Sequence, residues 1–198
     1  GRGALEGENR RLRRALDQTS SFGDLIGESP AMREIFALIR KVTNSSSSVL
    51  ITGESGTGKE VIARAIHALS DRRPHSFIRV QCAMRPAEAT STELFGDSNE
   101  GARSADRSHR GLLLDADRGT LFLDEVGALP LSVQDQILQV MKDEQVQSMS
   151  ASKPRSVDLR IIAATAHNLE DDVANGRFRE NLYKRLSSVR LDVPALRD

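Results

Sequence analysis

The sequence predicts an α/β fold, a five-stranded parallel sheet with helices on both faces. Three observations carry that expectation. Five short apolar runs, VLIT, FIRV, TLFLD, VDLRIIAAT and VRLDV, alternate with stretches of helical period. Strand–helix alternation builds parallel sheets by crossover connections. The central runs are apolar along their length, as strands buried on both faces are.

In chain order, residues 1–20 are polar and arginine-rich, with Leu5, Leu12 and Leu16 at helical spacing. They predict a solvated linker helix, or a short coiled-coil seam, behind an opening Gly-Arg-Gly that reads as a cloning scar. The globular domain is expected over 21–198. SPAMREIFALIRKV sets Met32, Ile35, Phe36, Ile39 and Val42 on one helical face, with Ser29 as N-cap and Pro30 at the first helical position. Strand 49–52 leads to helix 59–70, strand 77–80 to helix 86–95. A polar loop covers 96–111. Strand 120–124, helix 131–144, strand 157–165, two short helices (LEDDVANG and RENLYKRL) and strand 189–193 complete the domain.

Composition bounds the function. A chain of 198 residues can bury one sizeable core, and its formal net charge of zero provides no basic field for nucleic acid or an anionic membrane. The single cysteine, Cys82, excludes an internal disulfide and is expected as a small buried residue. No apolar run approaches a membrane span, and the expected location is cytoplasmic. The four histidines, His67, His75, His109 and His167, lack ligand spacing.

Two motifs carry chemistry. GESGTGK, residues 53–59, follows a buried strand and opens a helix, the context of a phosphate-binding loop. Gly53, Gly56 and Gly58 allow close backbone approach, successive amides form an anion nest, and Lys59 adds positive charge at the β- and γ-phosphates. Glu54, Ser55, Thr57 and Glu60 complete the loop; Glu60 stands where most such loops place Ser or Thr on magnesium. TLFLDE ends a strand in two acids: Asp124 suits magnesium, and Glu125 suits polarising an attacking water. The expected cofactors are ATP or ADP with Mg2+.

LIGESPAM, VLITGESGTGKEVIARAIHALS, TELFG, GTLFLDEVGALPLSVQDQIL, VDLRIIAAT, GRFRENLYKRL and VPALRD together resemble the AAA+ ATPase domain of the bacterial enhancer-binding proteins, which activate sigma-54 RNA polymerase. The resemblance runs from about Leu25 to Asp198. It implies a five-stranded parallel core, a ring hexamer and ATP at subunit interfaces. It places Ile26 and Gly27 with residues 53–60 at the nucleotide, Asp124 on magnesium and Glu125 on water. Thr165 falls at the γ-phosphate sensor, and Arg179 and Arg185 match two arginines that reach into the neighbouring subunit's site.

The sequence also departs from that family. Its GAFTGA loop motif, whose Phe and Thr touch sigma-54, aligns with Glu100, Gly101, Ala102, Arg103, Ser104 and Ala105; shifting by one still puts Arg103 at the phenylalanine. ELFG at 93–96 and Gly111 keep the family's spacing, but 97–111 holds no aromatic residue. Gln81 replaces an Asn that bonds the catalytic glutamate, which makes Gln81 a further candidate site residue. Leu114, Arg118 and Ala166 stand where Glu, Gly and Asn are usual. The lid subdomain, a receiver domain and a helix-turn-helix are missing from the sequence, so DNA binding is implied only for a parent protein. Two readings follow. One is a regulator that keeps the ATPase fold without normal sigma-54 engagement, using nucleotide or oligomerisation as a switch. The other is an ordinary sigma-54 activator. The degenerate loop favours the first. A metabolic kinase or GTPase has no place for the arginine pair, and no guanine-reading Asn-Lys-x-Asp occurs.

Overall fold

The computed structural model describes residues 30–83, 85–96, 111–147 and 153–194. The expected linker helix, and Ile26, Gly27, Ser29 and the loop 97–110, lie outside the described residues.

Helix α1 (Pro30–Val42) precedes β1 (Val49–Thr52), and α2 (Lys59–Leu69) leads to β2 (Phe77–Gln81). Next come α3 (Ala87–Phe95), α4 (Leu112–Asp115), β3 (Thr120–Asp124), a 3-10 turn (Val126–Ala128) and α5 (Leu131–Asp143). A ribbon of β4 (Gln145–Val146) and β5 (Arg155–Ser156) is followed by β6 (Arg160–Thr165), α6 (Leu169–Ala174), α7 (Glu180–Leu186) and β7 (Val189–Asp192). The main sheet has five strands in the order β2-β3-β6-β1-β7, and every pairing within it is parallel. This is the predicted α/β class.

Side-chain alternation along the strands splits the core in two. Val49, Ile51, Phe122, Ile162, Ala164 and Leu191 pack with Ile35 and Ile39 of α1 and Ile62 and Ile66 of α2. Leu50, Val80, Leu121, Leu123, Ile161 and Ala163 pack on the other face with Leu94, Leu113, Ile137 and Leu182. Burying one such side chain contributes about 1.5–3 kcal/mol, so both faces hold the sheet firmly.

Three local features differ from the sequence expectation. The strand expected over 157–165 begins only at Arg160. Before it, the Val157 amide donates to the Glu144 carbonyl at 2.9 Å, and the Arg118 amide donates to the Asp158 carbonyl at 2.7 Å. Those bonds tie residues 157 and 158 to the end of α5 and to the turn before β3 instead of to a neighbouring sheet strand. The β4–β5 ribbon has two residues per strand, too few to leave an alternating pattern. Helix α4 is one turn, anchored by buried Leu113.

Arg160 is buried, at 1% exposure, at the start of β6. Its guanidinium donates to the carbonyls of Val42 and, at 2.8 Å, Thr43, closing the C-terminal end of α1. Burial, with Arg72 nearby, brings its pKa down to about 10.

Candidate functional site

The sheet registers set the site. Gln81 pairs with Asp124, Asp124 with Ala164, and Thr52 with Thr165. The ends of β1, β2, β3 and β6 therefore lie at one level, where open parallel sheets place their ligands.

The loop after β1 has the form a phosphate requires. Gly56 and Gly58 have φ of 82° and 85°, left-handed conformations that side chains disfavour. A Cβ on Gly53 would come 3.0 Å from both the Thr57 hydroxyl and the Val193 carbonyl. The Gly53 amide donates to the Thr165 carbonyl at 3.2 Å, and the Thr57 hydroxyl donates to the Glu54 carbonyl at 2.8 Å. Lys59, at 7% exposure, opens α2 and folds back on the loop. Its ammonium donates to the carbonyls of Gly53 at 2.6 Å and Glu54 at 2.8 Å. Ser55 is exposed at the loop's tip, and Glu60 takes the helix's first turn.

Asp124 ends β3 and is paired with Arg79 of β2, whose Nη2 donates at 2.8 Å. The same guanidinium lies 3.5 Å from Glu60. Its hydrogen bond to Asp124 holds the Arg79 pKa above its ordinary value. Sequence reasoning missed Arg79, because only the sheet brings it beside the end of β3. Glu125 adopts a left-handed conformation, φ 56°, and its carboxylate accepts from the Ala166 amide at 3.3 Å. Gln81 makes no bond to Glu125; its side-chain carbonyl accepts from the Ala83 amide at 3.3 Å. Thr165 is buried, and its hydroxyl exchanges hydrogen bonds with the backbone of His167 at 3.0 and 3.2 Å. Cys82 is buried beside Asp124 and Glu125, and burial foremost pushes its thiol up to about 12. It is therefore an inert thiol at neutral pH.

The two implied arginines stand apart from their own chain's phosphate loop. Arg179 forks onto Asp135 of α5, and its amide donates to the side chain of buried Gln134 at 2.8 Å. Arg185 is exposed near the end of α7, beside Ser46, Ser47 and Ser48. No ion pair links either arginine to 53–60 among the described residues. A cavity of about 1100 Å3 opens at the opposite end of the strands, lined by Arg72, Asp117, Arg118, Glu144, Asp158 and Arg160; no phosphate-loop residue borders it.

A left-handed glycine loop between β1 and α2, an acidic pair two strands away in the sheet, and this strand order define a P-loop NTPase core of the AAA+ kind. More narrowly, the chain belongs to the sigma-54 interaction domain family, whose model matches residues 25–192. It is 46% identical over 175 residues to the DNA-binding transcriptional regulator NtrC of Escherichia coli K12, a match covering 88% of this chain and 37% of that protein. It is 43% identical over 194 residues to the nitrogen fixation protein AnfA of Azotobacter vinelandii, covering 98% of the chain and 36% of the relative. NtrX from Brucella abortus, solved in complex with ATP, superposes with a TM-score of 0.77 at 42% identity, over 86% of this chain and 36% of that one. The chain thus spans well under half the length of these relatives. No helix among the described residues is long and apolar enough to cross a membrane.

Proposed function

We propose that the chain is the ATP-binding domain of a bacterial transcription regulator, in which nucleotide controls oligomerisation or remodelling without normal sigma-54 engagement. The observation that carries the nucleotide reading is Lys59, a cation at 7% exposure resting on the carbonyls of Gly53 and Glu54 inside a left-handed glycine loop. Phosphate oxygens are stronger acceptors for that ammonium than neutral carbonyls. The loop's amides and the N-terminus of α2 add to the same attraction. ATP or ADP fits this cradle.

Asp124 would hold Mg2+, which when bound neutralises charge on the transferring phosphoryl group. Glu125 takes the role of general base for water, oriented by the Ala166 amide. Thr165 links the end of β6 to the loop through Gly53, which supports a sensor role. Arg179 and Arg185 are the cations offered to a neighbouring copy, in a ring whose expected size is a hexamer. DNA contact is assigned to a part of the protein beyond this chain.

Calorimetry with ADP and an ATP analogue tests the site. Lys59→Ala abolishes the binding heat; binding unchanged by the substitution overturns the assignment.

The polymerase part rests on sequence. Residues 97–110 hold six formally charged side chains and no apolar residue larger than alanine. A loop that anchors a partner needs a large apolar side chain at its tip. The described residues that flank it meet in space: a Cβ on Gly111 would lie 2.8 Å from the Gly96 amide nitrogen and 2.6 Å from the Leu94 carbonyl. That supports a retained loop base with altered chemistry. The alternative is an ordinary ATP-hydrolysing activator of sigma-54 polymerase, favoured by the family's own description. A pull-down with sigma-54 and a transition-state mimic separates the two. The native loop captures none, whereas Gly-Ala-Phe-Thr-Gly-Ala written over residues 100–105 in the full-length oligomer creates capture. Equal capture by both favours the ordinary activator.

A further inference from the structure

Arg79 sits where two acids of the nucleotide site converge. In the β2–β3 register Arg79 faces Phe122, and Asp124 lies two residues further along β3. Phe122 and Asp124 therefore project to the same side of the sheet, about 7 Å apart along the strand. An arginine side chain spans that distance. Phe122 packs against Ile62 and Ile66 of α2, so this is the face on which Glu60, in the first turn of α2, also stands. The guanidinium reaches both acids, at 2.8 Å from Asp124 and 3.5 Å from Glu60. Glu60 is further paired with Arg64 at 3.1 Å, and Arg64 lies over the Phe77 ring at 4.7 Å. Charges thus alternate from helix to strand end: Arg64, Glu60, Arg79, Asp124. Asp124 is the residue expected to take magnesium. Glu60 occupies the loop position at which most P-loops present a hydroxyl to the same ion.

We propose that Arg79 is a positioning residue, a resident counter-ion that bridges Asp124 and Glu60 and competes with Mg2+ for the Asp124 carboxylate, so that it sets the magnesium requirement for nucleotide binding. The proposal rests on the ATP reading above. One carboxylate faces two cations. Without metal, Arg79 neutralises two acids beside the phosphate loop, which otherwise repel a polyphosphate. With metal, a divalent ion and a guanidinium at one carboxylate repel each other, and Arg79 gives way. Removing Arg79 therefore has two effects of opposite sign. Nucleotide binding without magnesium weakens, and the magnesium concentration at half-effect falls. Damage to the fold weakens binding in both conditions and produces no such crossing.

The test is fluorescence titration of a methylanthraniloyl-labelled ADP with the chain, first in EDTA and then across a magnesium series. Arg79→Gln binds the nucleotide more weakly in EDTA and lowers the magnesium midpoint by roughly two- to fivefold, the scale of a partly exposed ion pair. Arg79→Lys retains the charge but not the two-acid bridge. It keeps affinity in EDTA near wild type and lowers the midpoint by less, which preserves the test if Arg79→Gln does not fold. An unmoved midpoint in both variants, or weakening in both conditions, overturns the proposal while leaving the ATP site standing. Absence of nucleotide binding by the wild-type chain overturns the ATP reading and this one with it.

Discussion

Arg179 is held by Asp135 in a fork, with Nε 2.9 Å from one carboxylate oxygen and Nη2 3.1 Å from the other. Both side chains are about half exposed, at 47% and 53%. Exposed pairs of this kind contribute at most about 1 kcal/mol. Asp135 therefore orients the arginine at the surface without committing it, which fits the proposed role toward a neighbouring copy. The anchor lies in the backbone instead: buried Gln134 accepts from the Arg179 amide and donates to the carbonyls of Leu129 and Arg177.

On the proposed role across a subunit interface, Arg179→Ala in the full-length protein leaves nucleotide binding intact and lowers ATP turnover by on the order of a thousandfold, the scale of arginine fingers. Wild-type turnover rises more than linearly with protein concentration. Steady-state ATPase assays across a dilution series check both. Full turnover by a monomeric species contradicts a role across the interface.

Arg118 and Glu144 carry avoidable strain. Their φ values are 67° and 53°, left-handed conformations that glycine adopts freely. Arg118 follows the single turn of α4, and Glu144 terminates α5 with its amide on the Val140 carbonyl. Arg118→Gly and Glu144→Gly each raise the unfolding free energy by about 1 kcal/mol. Urea denaturation measures it; a loss of stability in both variants contradicts the strain argument.

His67 makes stability depend on pH. Its Nε2 donates to the His75 carbonyl at 3.0 Å, and in the neutral ring Nδ1 accepts from the Thr120 hydroxyl at 2.8 Å. Burial is the main force lowering its pKa from 6.5; the His75 carbonyl opposes, and Arg160, Arg72 and His75 reinforce it. Below that ordinary value the unfolded chain takes up a proton that the folded chain refuses. This part of the stability is present above about pH 6.5 and is lost as pH falls toward the lowered pKa. Denaturant midpoints at about pH 7.5 and about pH 5.5 decide the matter. Wild type loses more between them than His67→Gln does. Equal losses contradict the assignment.

Arg160→Met removes the donors that close α1. Two buried carbonyls, those of Val42 and Thr43, lose their side-chain partner. The expected cost is about 3 kcal/mol, read by urea unfolding. A cost within about 0.5 kcal/mol, the range of ordinary surface substitutions, refutes this account.

Sequence determined the strands and the phosphate loop because both are local. VLIT, FIRV and TLFLD are continuous apolar runs, and each forms a strand within a residue of its expected bounds. The glycines at 56 and 58 record their left-handed backbone in their identity. Where the signal was short, at α4 and the β4–β5 ribbon, no period had room to develop. Tertiary structure alone decided which charges meet. Arg79 and Asp124 are 45 residues apart, and Arg179 and Asp135 are 44 apart. Nothing in either neighbourhood marks its partner. Ala166 reaches Glu125, and Gln81 turns away to Ala83, because β6 and β3 end at the same level and the chain folds over their ends. The physical reason is one of range. Periodicity and turn chemistry act over a few residues, whereas the side-chain contacts of this site depend on the register of parallel strands joined by whole helices.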